Sequence, residues 1–125
     1  MDRVGYRMAM RDFAKLFGTL SDETRIRILK ILLERECCVC EVMQALDISQ
    51  SRASRNLGIL EDAGFIRSRR DGLWIVYSVD EQGAKSYTAP LVKMLRNSLV
   101  NDETLLQDRE RLNHAVRVGP KAINR

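Results

Sequence analysis

Residues 36–60 read ECCVCEVMQALDISQSRASRNLGIL, two short amphipathic segments joined at Asp47. The spacing predicts a helix over about 38–46 that buries Val42 and Leu46, with Val39 beside them. Asp47-Ile48-Ser49 closes it and opens the next, with Ser49 as N-cap. On that second helix Ala53, Leu57, Leu60 and Gly64 share one face, while Ser51, Arg55 and Gly58 point the opposite way and Arg52 and Ser54 sit on the flanks. Two short helices joined by a tight turn, the second polar over its exposed N-terminal half, are the signature of a helix-turn-helix.

Downstream, Phe65-Ile66-Arg67-Ser68-Arg69 switches to alternation, and Leu73-Trp74-Ile75-Val76-Tyr77-Ser78-Val79 is rich in strand formers. Asp71-Gly72 between them predicts a hairpin with a type I′ turn and Arg67, Arg69 and Arg70 near its tip. A helix-turn-helix followed by such a ribbon is a winged helix. The expected fold is therefore mainly α with a β-hairpin wing.

Upstream, Phe13, Leu16, Phe17 and Leu20 recur at helical spacing and predict a helix over 9–19. Ser21 or Asp22 caps the next, whose inward stripe is Ile26, Leu29 and Leu33, widened by Ile28 and Leu32. Beyond Asp80 comes a loop, then a helix from about 88 or 90 to 99 with Leu91, Met94, Leu95 and Leu99 as its stripe. Asn101-Asp102 breaks it. A charged helix over about 103–116 keeps only Leu105, Leu112 and Val116, and the tail from Arg117 is expected to be loose. A winged-helix core has little use for the N- and C-terminal helices, so these are expected to form a dimer interface. The expected organisation is a DNA-binding and dimerisation domain over 1–100 and a C-terminal helix with a loose basic tail over 101–125.

The 125 residues suffice for one domain with a modest core. With 45% apolar and 30% charged residues the composition is that of a soluble globular protein rather than a disordered chain. No apolar run approaches the roughly 18 residues of a membrane span, and the opening MDRVGYRMAM lacks the apolar core of a signal peptide. A cytoplasmic protein without a membrane partner is expected. The net charge of +4 is a mild pointer to a polyanion.

Gln50, Ser51, Arg52, Ser54 and Arg55 crowd a helix N-terminus, with no acid until Glu61. Such an end presents unpaired N–H groups and a positive dipole to phosphate. Arginine reads guanine edges, glutamine reads adenine, and serine serves bases or phosphates. These residues are expected to enter the major groove of double-stranded DNA while the wing arginines hold the flanking backbone.

All three cysteines, Cys37, Cys38 and Cys40, lie within four positions, an odd count spaced too tightly for a disulfide framework. Near a helix N-terminus their pKa values should be lowered, and thiolates select soft ions. Zinc normally wants four ligands, and the lone histidine, His114, is far along the chain. Three thiolates suit a pyramidal ion such as As(III) or Sb(III). At about 100° per residue, Cys38 and Cys40 on a regular helix would stand about 200° apart, so sharing one ion should unwind the helix start.

These motifs together resemble the arsenic-responsive repressor family of the ArsR/SmtB type over roughly residues 10–100. Leu20-Ser21-Asp22-Glu23-Thr24-Arg25-Ile26-Arg27-Ile28-Leu29 is similar to the family's second-helix signature, and Glu36-Cys37-Cys38-Val39-Cys40-Glu41 resembles its metal box. Ser49-Gln50-Ser51-x-x-Ser54-Arg55-x-Leu57 resembles its recognition helix, and Gly64-Phe65-Ile66…Arg70-Asp71-Gly72-x-Trp74-x-x-Tyr77 its wing. The resemblance implies a homodimeric winged-helix repressor that binds its operator when metal-free and leaves when the inducer binds. Cys38 and Cys40 take the places of the family's cysteine pair. Many arsenic sensors place a third cysteine three residues later, where this chain has Met43; Cys37 is the available substitute. The family's other sensing site, on the penultimate helices, uses Asp and His ligands; residues 84–114 offer only Asp102, Asp108 and His114, and it is not assigned.

Two rivals follow from the same thiols. One keeps the DNA role but makes the cysteines a redox sensor. The other is a thiol enzyme such as an arsenate reductase, against which stands the lack of a phosphate-type loop or an evident base beside the cysteines. No enzyme and no organic cofactor is expected.

Overall fold

A computed structural model describes residues 8–81 and 87–119. The elements run α1 (Met10–Leu20), α2 (Glu23–Glu34), β1 (Cys37–Cys38), α3 (Val39–Leu46), α4 (Gln50–Asp62), β2 (Ile66–Asp71), β3 (Trp74–Val79), α5 (Ala89–Arg96) and α6 (Glu103–His114). Most of the loop expected after Asp80, the opening residues of the chain and residues 120–125 of the expected loose tail lie outside the described residues.

Local chemistry sets the boundaries. Asp22 caps α2 by accepting from Arg25 N, Ser49 caps α4 through Arg52 N, and Asp102 caps α6 through Leu105 N. Asp47, at φ 57°, ends α3 in the left-handed region that Asp tolerates, which allows the tight turn into α4. The core gathers Ile28, Leu29, Ile31 and Leu32 of α2 against Val42 and Leu46 of α3, Ala53, Leu57 and Leu60 of α4, and Phe65. The buried stripe of α2 is thus Ile28–Leu29–Ile31–Leu32, with Ile26 and Leu33 at its margin, a rotation of the expected face.

The sheet has an extra strand. Its order is β1-β3-β2, all antiparallel, with Cys37 opposite Tyr77 and Cys38 opposite Val76. The two cysteines at the expected helix start are therefore laddered to the wing. The hairpin itself pairs Asp71 with Trp74, which leaves Gly72-Leu73 as the turn. Only Gly72 has positive φ, +64°, the pattern of a type II′ rather than a type I′ turn.

Helix α6 is held to the body by a buried acid. Asp108, fully enclosed, takes two 2.8 Å hydrogen bonds from Arg27 and one of 2.9 Å from Arg111. Those arginines also donate to the last carbonyls of α3, Leu46 O and Ala45 O. By contrast α1 buries only Leu16 and Thr19, and Phe13 and Phe17 stack edge-to-face in the open.

Candidate functional site

The recognition-type helix α4 is braced from α2. Arg25 donates to Thr19 O and to Asn56 Oδ1, and Arg52 donates to Thr24 Oγ1 at 2.8 Å. These bonds fix the rotation of α4 so that Ser51, Arg52 and Arg55 face outward, with Gln50 and Ser54 half-buried and bonded to each other at 2.9 Å. Among the described residues, Arg55 makes no hydrogen bond or ion pair, so its guanidinium is available. On the wing Arg67, Arg69 and Arg70 are all exposed. Arg69 is ion-paired with Glu36, and Arg70 reaches Gly72 O. The free end of α4 and the arginine-bearing hairpin form a cationic, hydroxyl-rich surface that can meet phosphate and base edges.

The thiols divide two and one. Cys38 stands at the N-cap of α3 in extended conformation (φ −85°, ψ 173°), outside the helical turn, and its Sγ lies 2.6 Å from that of Cys40. The helix therefore does not hold these sulfurs apart, and bringing them together requires no unwinding. Cys37 precedes Cys38 on β1, where successive side chains face opposite ways. It points into the main hydrophobic core, its Sγ 3.6 Å from Arg35 O, and is not gathered with the pair. Among the described residues, no cluster of three His, Cys, Asp or Glu side chains is arranged to hold a metal ion.

Glu41 organises this end of α3. Its carboxylate accepts from Cys38 N at 2.9 Å and from Arg35 at 2.8 Å. Although burial pushes the Glu41 pKa up, the Cys38 N–H and Arg35 outweigh it and hold the carboxyl below its ordinary value. Cys37 and Cys38 behave in the opposite sense. Burial pushes Cys37 up to about 12, and burial, with the Cys40 contact added, takes Cys38 to about 12. At these two cysteines the expectation of lowered values at a helix N-terminus fails because desolvation dominates.

The segment after α6 covers the pair. Val118 N donates to Cys40 Sγ at 3.4 Å, Trp74 Nε1 donates to Val118 O at 2.8 Å, and Arg117 pairs with Asp71 at 2.9 Å. Arg117 and Val118 are thus tied down rather than loose. Nothing in the pattern of residues 115–118 announces this; the one available signal was Trp74, an indole N–H that needs an acceptor.

A family model described as bacterial regulatory protein, arsR family, matches residues 22–68. The chain is similar to a cadmium resistance transcriptional regulatory protein CadC homolog of Staphylococcus aureus, 40% identical over 75 residues, 59% of this chain and 62% of that one. It is also similar to the arsenical resistance operon repressor of Escherichia coli, 44% identical over 64 residues, 50% of this chain and 55% of that one. The chain thus spans just over half the length of these curated relatives. Among solved structures, the transcriptional repressor BigR from Xylella fastidiosa superposes with a TM-score of 0.58 at 35% identity, over 68% of this chain and 80% of that one. The homodimeric winged helix-turn-helix DNA-binding domain Mb0332 from Mycobacterium bovis does so with 0.62 at 25% identity, over 77% and 87%.

Proposed function

The chain belongs to the arsR family of bacterial regulatory proteins, and we propose on that footing that it is a homodimeric repressor released from operator DNA when As(III) or Sb(III) loads its thiols. The fold is a winged helix-turn-helix, and the family is one of regulators, which sets aside the thiol-enzyme reading. Gln50, Ser51, Arg52, Ser54 and Arg55 enter the major groove; Arg67, Arg69 and Arg70 hold the flanking backbone.

One observation carries the sensing half of the reading: the Cys38 and Cys40 sulfurs are 2.6 Å apart, with Cys38 on the strand β1 that is laddered to the wing strand β3 and Cys40 on α3. These two thiols hold the incoming ion, and both must give up their protons to do so. The donor chemistry fits a soft ion, but a pyramidal one needs a third sulfur. Cys37 supplies it only if β1 gives up its extended conformation, because turning the strand over would swing Cys38 away as it brought Cys37 in. That motion breaks the pairing of Cys37 with Tyr77 and of Cys38 with Val76, and so re-aims the hairpin that meets DNA. The relatives named for arsenical and cadmium resistance support soft-ion sensing as a class. Homodimerisation is supported by the homodimeric neighbour and by the exposed Met10, Phe13 and Phe17 on α1.

The same sulfur pair favours a second reading, a redox switch. Oxidation would join Cys38 Sγ to Cys40 Sγ, the two thiols giving two electrons and two protons to peroxide, which leaves as two waters. A mobility shift on the chain's own upstream DNA, with and without arsenite, cadmium, zinc and peroxide, separates the readings. Release by arsenite without oxidant is expected. Release by peroxide alone would move the assignment to the redox switch, and no shift of the DNA in any arm would refute both.

A further inference from the structure

Residues 115–118 connect two places that the fold otherwise keeps on different elements. Val116 is fastened to α3 by a pair of hydrogen bonds with Gln44, 2.7 Å from the amide to Val116 O and 3.0 Å from Val116 N to the amide oxygen. Val118 then bridges Cys40 Sγ, through its N–H, and the Trp74 indole, through its carbonyl. Between them Arg117 pairs with Asp71 at the wing tip, stands 3.5 Å from Glu41, and lies 5.6 Å from the centroid of the Trp74 ring. Asp71 and Trp74 are the two residues that flank the hairpin turn. One short strand of backbone therefore touches a thiol and both shoulders of the wing.

Cys38 and Cys40 are only 2% and 3% exposed, so a reagent or ion reaching them must displace a cover. On the Cys40 side that cover is Val116 and Val118. We propose that residues 115–118 are a strap that closes the thiol pair and transmits its state to the wing by masking Asp71. With the strap seated, Arg117 neutralises the one acid at the turn, and the tip presents only the arginines of β2 to phosphate. When the strap lifts from Cys40, Arg117 leaves with it. The tip then loses a cation and is left with an unneutralised carboxylate, a change whose sign favours DNA release. The strap deepens the thiol-sensor reading above and rests on it for the identity of the trigger.

The experiment uses the 125-residue chain and three variants, Arg117→Ala, Trp74→Phe and Arg117→Ala with Asp71→Asn. Disulfide-reagent labelling of the thiols should run about five-fold faster in both single variants, the effect on an opening equilibrium of losing one net hydrogen bond. Arg117→Ala should weaken binding to the upstream duplex in unloaded protein, and adding Asp71→Asn should restore it. Trp74 is the sole tryptophan, and its emission in the wild type should change on adding arsenite. Unchanged labelling rates in both single variants, or no rescue by Asp71→Asn, would overturn the strap. If arsenite leaves the emission unaltered while labelling and rescue behave as expected, the strap stands and the metalloid trigger fails.

Discussion

At the scale of single residues, the site turns on which way each side chain leaves β1. Cys37 is buried in the core and Cys38 faces Cys40, so the third sulfur is available only after β1 leaves its extended conformation. Cys37→Ala should therefore keep the fold and unloaded DNA binding, yet lower arsenite affinity and blunt release in a titration. A response identical to the wild type would make the pair sufficient alone. Glu41 gives a second test, this one of stability. Its folded pKa is depressed, so its contribution is present above about pH 4.3, the unfolded glutamate value, and is lost as the pH falls through the lower folded value. Urea midpoints measured at pH 7 and pH 3.5 should fall further in the wild type than in Glu41→Gln. Equal losses in both would show that Arg35 and the Cys38 N–H do not tune this carboxylate.

At the scale of elements, α4 and the hairpin were legible from the chain because each announces itself locally. Ser49 caps, Ala53, Leu57 and Leu60 repeat at helical spacing, and Gly72 sits where a tight turn needs positive φ. What stayed hidden were contacts made across sequence distance. Two residues of extended backbone carry no periodicity, so the pattern reads Cys38 as the start of α3 and gives no sign of β1 or of the geometry of the thiols. The docking of residues 115–118 on Trp74 and Cys40 is equally non-local. The groove-facing role of α4 has its own test. Arg55 is exposed and without a partner among the described residues, so Arg55→Ala should weaken duplex binding and lower the slope of log affinity against log salt by about 0.9 if it meets a phosphate. Affinity and slope both unchanged would remove Arg55 from the interface.

At the scale of the whole molecule, the surface carries apolar side chains that one copy leaves in water. Met10, Phe13 and Phe17 of α1 are 87%, 52% and 49% exposed, and Met94 of α5 is 60% exposed. Residues three and four apart on a helix share a face, so the α1 residues form one stripe. In the dimer reading a second copy covers it and sets two recognition helices about 34 Å apart, one turn of duplex. Phe17→Ser should shift sedimentation from dimer toward monomer and weaken binding to a two-half-site duplex far more than to a single half-site. A variant that remains dimeric with full affinity would place the interface elsewhere.

The central claim is that occupancy of Cys38 and Cys40 is energetically linked to hold on DNA. The most direct measurement is the fluorescence anisotropy of a labelled upstream duplex titrated with the protein, with and without one equivalent of arsenite per chain, in the wild type and in Cys38→Ser and Cys40→Ser. A coupling of about 3 kcal/mol predicts that the loaded wild type binds about 150-fold more weakly, while both serine variants bind equally with and without arsenite. A wild type that takes up one ion per chain and keeps its full affinity for the duplex would contradict the account.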